Sequence, residues 1–182
     1  MTEEIQSLRK VVGKLEEAGF EYMLTGSMAM GFYSIPRMTR DSDIIVALSY
    51  KDIGKFVNVF GEDFFVDENM VRDSWKSKMM INIFDKKSLF KIDFIIMQNE
   101  NYEKMKFERK RKFRIEGFEI NVISVEDLIV SKLLWERNSE SETQLKDVNS
   151  LLKNATEKDY LLKTIKDLDL DDMYKKISLA DE

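Results

Sequence analysis

Histidine and cysteine are both absent from this chain of 182 residues. The first absence excludes Ser-His and Cys-His nucleophilic catalysis and any imidazole-based zinc site. The second excludes disulfides, thiolate metal sites and thiol chemistry, and fits a reducing, cytoplasmic setting. Acid–base work is left to Asp, Glu, Lys or Tyr. A bound metal would need oxygen ligands, which points to magnesium or manganese. Proline occurs once, at Pro36. No apolar run approaches the ~20 residues of a membrane span. The start, Met1-Thr2-Glu3-Glu4, is acidic and lacks a signal-peptide core, so no membrane partner is expected.

What is present is enough for a core. The chain is 43% apolar and 35% charged, with a net charge of −5. A nucleic-acid partner would therefore need a local basic patch. The length suits one domain, or one domain with a small helical appendage.

Helical spacing of Ile5, Leu8, Val12 and Leu15 predicts a first helix ended near Gly19. Phe20 to Thr25 reads as a strand. Gly26 then frees the backbone, Ser27 is placed to cap a helix over 27–34, and Pro36 follows its end. Strands are predicted over 43–48, 64–66, 79–84 and 90–97, with a helix over 50–60 and an unclear stretch over 70–77. A hairpin is predicted over 111–123, turning at Glu116-Gly117. Beyond it lies a helix capped by Ser124 with Asp127, then three charged helices. The expected division is an α/β core over 1–123 and a helical extension over 124–182.

The chemistry concentrates in few residues. Asp41 and Asp43 stand two apart before Ile44-Ile45-Val46, so in an extended chain both carboxylates share a face. Two like charges so placed repel unless a cation joins them. The plain alternative is two polar residues at a strand entrance. Asp93 interrupts the apolar run Phe90-Lys91-Ile92-Asp93-Phe94-Ile95-Ile96 and needs a partner, either a cation or Lys91 in a pair at a sheet edge. Lys132 lies in an almost wholly apolar helix and needs an anion unless it snorkels to solvent. The segment 104–114 gathers Lys104, Lys106, Arg109, Lys110, Arg111, Lys112 and Arg114, either a solvated face or a grip on an RNA backbone.

The Gly26-Ser27 turn, short helix and Asp41-x-Asp43 strand resemble the signature of the DNA polymerase β-like nucleotidyltransferase superfamily. Pro36-Arg37-x-Thr39-x-Asp41-x-Asp43 resembles most closely the abortive-infection (AbiEii-type) toxin-like branch, as do Glu126-Asp127-Leu128-x-x-x-Lys132 and Lys146-Asp147-Val148. Ser42 departs from the apolar residue usual between the two aspartates in that branch.

The resemblance implies a nucleotidyltransferase fold, a short mixed sheet flanked by helices. It implies Asp41, Asp43 and Asp93 as ligands of magnesium or manganese. It places Gly26, Ser27, Arg37 and Lys132 at the nucleoside triphosphate, ATP among the candidates, with Lys132 also catalytic. Thr39, Arg40 and Asp147 are weaker site candidates. The implied acceptor is a hydroxyl of RNA, such as tRNA, or of a protein, with a toxin–antitoxin or phage-defence role and a cognate antitoxin partner. Two alternatives stand beside it: an inactive nucleotidyltransferase-fold binding or regulatory module, and an enzyme acting on a small aminoglycoside-like alcohol.

Overall fold

The computed structural model describes residues 2–35, 39, 41–139 and 142–178. Its centre is one seven-stranded mixed sheet in the order β3-β4-β5-β2-β1-β7-β6. Strands β1 (Tyr22–Thr25), β2 (Asp41–Val46) and β5 (Lys91–Ile96) form its middle. β2 runs antiparallel to β1 and parallel to β5. Strands β3 (Phe64–Phe65) and β4 (Ile81–Asp85) close one side. On the other, β6 (Arg111–Ile115) and β7 (Phe118–Val122) form the expected hairpin, and β7 pairs in parallel with β1. Its two-residue turn uses positive φ at both Glu116 and Gly117, the twist that suits right-handed strands. The mixed α/β architecture is thus as expected.

Helix α1 (Glu3–Glu17) starts on Thr2, whose hydroxyl accepts the Ile5 N–H, and buries Leu8, Val11, Val12 and Leu15. α2 (Gly26–Met30) is shorter than the predicted 27–34 segment. It begins at Gly26, whose φ of +66° turns the chain at the strand end, so Ser27 falls inside the first turn instead of capping it. After α3 (Ile53–Phe60), the unclear stretch is α4 (Glu68–Ser77), capped by Asp67. It carries one fully covered apolar residue, Val71, which is why its periodicity was faint. α5 (Asn101–Glu108) precedes the hairpin.

The C-terminal helices are α6 (Val125–Ser139), α7 (Glu142–Leu152), α8 (Lys158–Asp167) and α9 (Asp171–Ser178). α6 packs on α2, α7, α8 and α9 and contributes Leu128, Ile129, Val130 and Leu133 to the same buried cluster as the sheet. Ser124 accepts the Asp127 N–H at 3.2 Å and donates to its carboxylate at 2.6 Å. Ser124 thus caps the helix as expected, while the Asp127 carboxylate accepts from its hydroxyl and not from its backbone N–H as the Glu of a capping box would. No helix among the described residues is long and apolar enough to cross a membrane.

Candidate active site

Register builds the site. On neighbouring parallel strands Asp41 lies beside Lys91 and Asp43 beside Asp93. Thr25 stands opposite Asp43 on β1, and Asn82 opposite Asp93 on β4. Alternation puts all six side chains on one face of four adjacent strands. All of them but Asn82 floor a cleft of about 700 Å³ roofed by α6, which presents Leu128, Ser131, Lys132 and Trp135 at the spacing of one helical face. β2 begins at Asp41 instead of the predicted residue 43, because Asp41 already pairs with Lys91.

Asp93 is almost fully buried, and β5 is an interior strand. Each of its oxygens has a partner. Asn82 Nδ2 donates to Oδ1 at 2.6 Å, and Lys91 Nζ donates to Oδ2 at 2.6 Å. The Asp93–Lys91 pair therefore forms in the sheet interior, not at an edge. Lys91 Nζ also lies 3.7 Å from Asp41 Oδ2, while Thr39 Oγ1 lies 2.8 Å from Asp41 Oδ1.

Asp43 sits against the glycine bend. Burial, then the charges of Asp41 and Asp93, push its carboxyl up to about 6, against the opposing pull of Lys91 and Lys132. A Cβ at Gly26 would meet Asp43 Oδ2 at 1.9 Å, so the bend leaves no room for a side chain.

Lys132 does not snorkel. It is 5% exposed and donates to Asp147 Oδ2 at 2.7 Å and to Gln144 Oε1 at 3.1 Å, both on α7. Its anion is Asp147 and not Asp93, although its charge still reaches Asp43. Gly26, Ser27, Thr39, Asp41, Asp43, Asp93 and Lys132 all line the cleft. Arg37 and Arg40 lie outside the described residues. Sequence reasoning missed Ser131 and Trp135 as cleft residues, and Asn82 as the partner of Asp93. Ser131 Oγ is a buried hydroxyl without a hydrogen-bond partner. The signal for Asn82 was its place as a polar residue between Ile81 and Ile83, but which strand it faced was not visible.

Glu126 and Asp127 have a different job. Glu126 Oε1 accepts the N–H groups of Thr156 and Glu157, at 2.9 and 3.0 Å, at the start of α8. Burial would push its carboxyl up, but those bonds and Arg109 hold it below its usual value. Asp127 accepts from Ser124, Tyr160 and Arg109. The basic segment is largely spent in the same way. Lys106 pairs with Glu103, Lys110 with Glu21, Lys112 with Glu119, and Arg109 and Arg111 with Glu157.

The donor set suits a hard divalent ion in kind: three carboxylates on one face, one of them raised by burial and then by the charges of the other two, with an ammonium standing among them. Among the described residues, no three such groups stand ready-made around an ion.

Residues 4–179 match the family described as nucleotidyl transferase of unknown function (DUF2204). The chain belongs to this family. No curated protein is a significant match in sequence. Solved structures share the family's fold at low identity. An antigenic nucleotidyltransferase-like protein from Paracoccidioides brasiliensis superposes with a TM-score of 0.62 at 15% identity, covering 97% of this chain and 93% of that one. The antibiotic-resistance factor ANT(2″)-Ia in complex with adenylyl-2″-tobramycin gives 0.58 at 11% identity, covering 91% and 98%. The lincosamide antibiotic adenylyltransferase LnuA, lincomycin-bound, gives 0.53 at 13% identity, covering 85% and 98%. These likenesses establish the fold, with the acidic face of the sheet at the centre of the cleft in this chain.

Proposed function

We propose that this chain moves a nucleoside monophosphate from a nucleoside triphosphate to an acceptor hydroxyl. The acceptor oxygen forms a bond to the α-phosphorus, the bond to the bridging oxygen breaks, and pyrophosphate leaves. The observation that carries this reading is Asp43 set in register beside Asp93 at the Gly26 bend, with Asp41 on the same face.

Asp41, Asp43 and Asp93 are the residues that would hold magnesium or manganese. A pair of such ions supplies charge neutralisation at the transferring phosphoryl group. The chain's own residues do the rest. Gly26 and Ser27 line the cleft and are the phosphate-binding candidates at its bend, with the space beside the Gly26 Cα taken by the Asp43 carboxylate. Lys132 supplies fixed positive charge at the roof, held by Asp147. Arg37 is the further phosphate-binding candidate, with Thr39 orienting Asp41 and Arg40 as a weaker contact. The acceptor proton falls to a carboxylate, since the chain has no histidine, and Asp93 is our choice because Asn82 fixes its orientation.

We assign the acceptor to a protein or RNA hydroxyl, in keeping with the resemblance to toxin-like relatives, whose cytoplasmic setting and antitoxin partner belong to the same proposal. The pairing of five of the seven bases in 104–114 removes the electrostatic argument for RNA over protein. A small alcohol is the second reading. It is favoured by the apolar lip of the cleft, where Met80, Ile95 and Trp135 adjoin the acidic face, and by the antibiotic bound in the lincosamide enzyme. Incubation with each labelled nucleoside triphosphate, magnesium and either tRNA, lysate protein or an aminoglycoside panel tests the proposal. Label transferred with release of pyrophosphate supports it. Pyrophosphate release unchanged by Asp43→Ala refutes the mechanism.

A further inference from the structure

We propose that Lys91 is the built-in counter-ion of the acidic face: its ammonium holds the place of a divalent cation and must leave before one can load. This inference rests on the metal-dependent reading above. Lys91 lies two residues before Asp93 on β5 and beside Asp41 across the parallel ladder. Its Nζ is 2.6 Å from Asp93 Oδ2 and 3.7 Å from Asp41 Oδ2, so one ammonium spans two of the three carboxylates. The remaining oxygens of that pair are engaged too, Asp93 Oδ1 by Asn82 and Asp41 Oδ1 by Thr39. An entering cation therefore competes with the chain's own donors.

Lys91 and Lys132 divide the labour. Lys132 is 5% exposed and fixed between Asp147 and Gln144. The Lys91 side chain is 34% exposed and carries a long flexible stem, so its head group can leave without unfolding anything. A bare cation that evicts it strands an ammonium without its anion. The triphosphate of an incoming nucleotide gives that ammonium a new partner. Lys91 thus weakens loading of the bare ion and contributes to the nucleotide once displaced.

The test is Mn²⁺ binding followed by calorimetry on the wild-type chain and on Lys91→Met, Lys91→Arg and Asp43→Asn, without nucleotide. We expect Lys91→Met to bind Mn²⁺ about tenfold or more tightly than wild type, because the competing charge is gone. Lys91→Arg should stay near wild type. Nucleotide binding should weaken several-fold in Lys91→Met. Equal or weaker Mn²⁺ binding in Lys91→Met, with Asp43→Asn still abolishing the wild-type signal, overturns the role of Lys91 and leaves the metal site standing. Mn²⁺ binding that is absent, or unaffected by Asp43→Asn, overturns both. A second measurement needs no variant. Amine-directed labelling of the wild-type protein, read by mass spectrometry, should modify Lys91 faster in saturating Mg²⁺ than in chelator, and an unchanged rate overturns the displacement.

Discussion

A methyl group on Gly26 would lie 1.9 Å from Asp43 Oδ2, so the bend that opens α2 and the carboxylate on β2 are fitted to each other. Gly26→Ala meets two obstacles at once. Its φ of +66° is the left-handed conformation, costing a residue with a side chain about 1–3 kcal/mol. The added carbon also has to push Asp43 out of register with Asp93. We expect Gly26→Ala to abolish nucleotide binding and lower stability in urea titration. Gly13→Ala is the control, on a helix with nothing within 4 Å, and should be neutral or stabilising by up to about 1 kcal/mol. Wild-type nucleotide affinity in Gly26→Ala would contradict this fit.

The burial of Asp43, with the repulsion from Asp41 and Asp93, has a pH signature. A carboxyl raised to about 6 in the folded protein binds more protons than its unfolded counterpart between about pH 4 and 6. Its ionised form therefore costs stability above pH 6, and that cost fades as pH falls through 6. Asp43→Asn removes it. The variant should melt higher than wild type at pH 7.5 in chelator, by the equivalent of at most about 2–3 kcal/mol, and should lose that advantage near pH 4.5. Saturating magnesium should narrow the gap at pH 7.5. A difference independent of pH would mean that Asp43 carries no such strain.

How much of this was legible depended on whether a signal was local. Asp93 announced itself by interrupting a β-strand run, and Glu116-Gly117 by its turn chemistry. Asp41 and Asp43 needed no more than the period of a strand. The partners were not legible, because they come from register between strands far apart in sequence. Nothing near Asn82 says that it faces Asp93, and nothing in Phe90–Ile96 says that Lys91 also reaches Asp41. Glu126 and Asp127 show the opposite error of scale. They belong to the segment that carried the family resemblance, yet their contacts anchor α8 and leave the cleft alone.

The buried Lys132–Asp147 pair separates support from chemistry. Removing Asp147 takes the anion from a nearly buried ammonium, so Asp147→Leu should cost about 3–5 kcal/mol in urea titration, and Lys132→Met should also destabilise. The double variant should recover much of that loss, since an apolar pair of similar volume avoids the desolvation of two charges. If Lys132 also serves the nucleotide, the double variant will be folded and inactive. A double variant that is both stable and active would confine Lys132 to a structural role.

The C-terminal helices are expected to be inseparable from the sheet, despite the boundary drawn at residues 123 and 124. α6 supplies Leu128, Ile129 and Leu133 to the common core, each at most 1% exposed. Asp127, itself fully buried, ties α6 to the C-terminal end of α5 through Arg109 Nε at 3.0 Å and to α8 through the Tyr160 hydroxyl at 2.6 Å. The Arg109 guanidinium also stacks 3.6 Å from the Tyr160 ring centroid. Asp127→Ala would remove one of the carboxylates around Arg109, leaving Glu126 and Glu157, and would leave the Tyr160 hydroxyl without its acceptor, costing about 1–3 kcal/mol. Hydrogen exchange should then quicken first in α8, whose side-chain tie to α6 is reduced to Glu126, while the central strands stay protected. A chain ended after residue 123 should fail to fold, because it exposes the sheet face that α6 covers. A soluble, cooperatively melting 1–123 fragment would show instead that the sheet carries its own core.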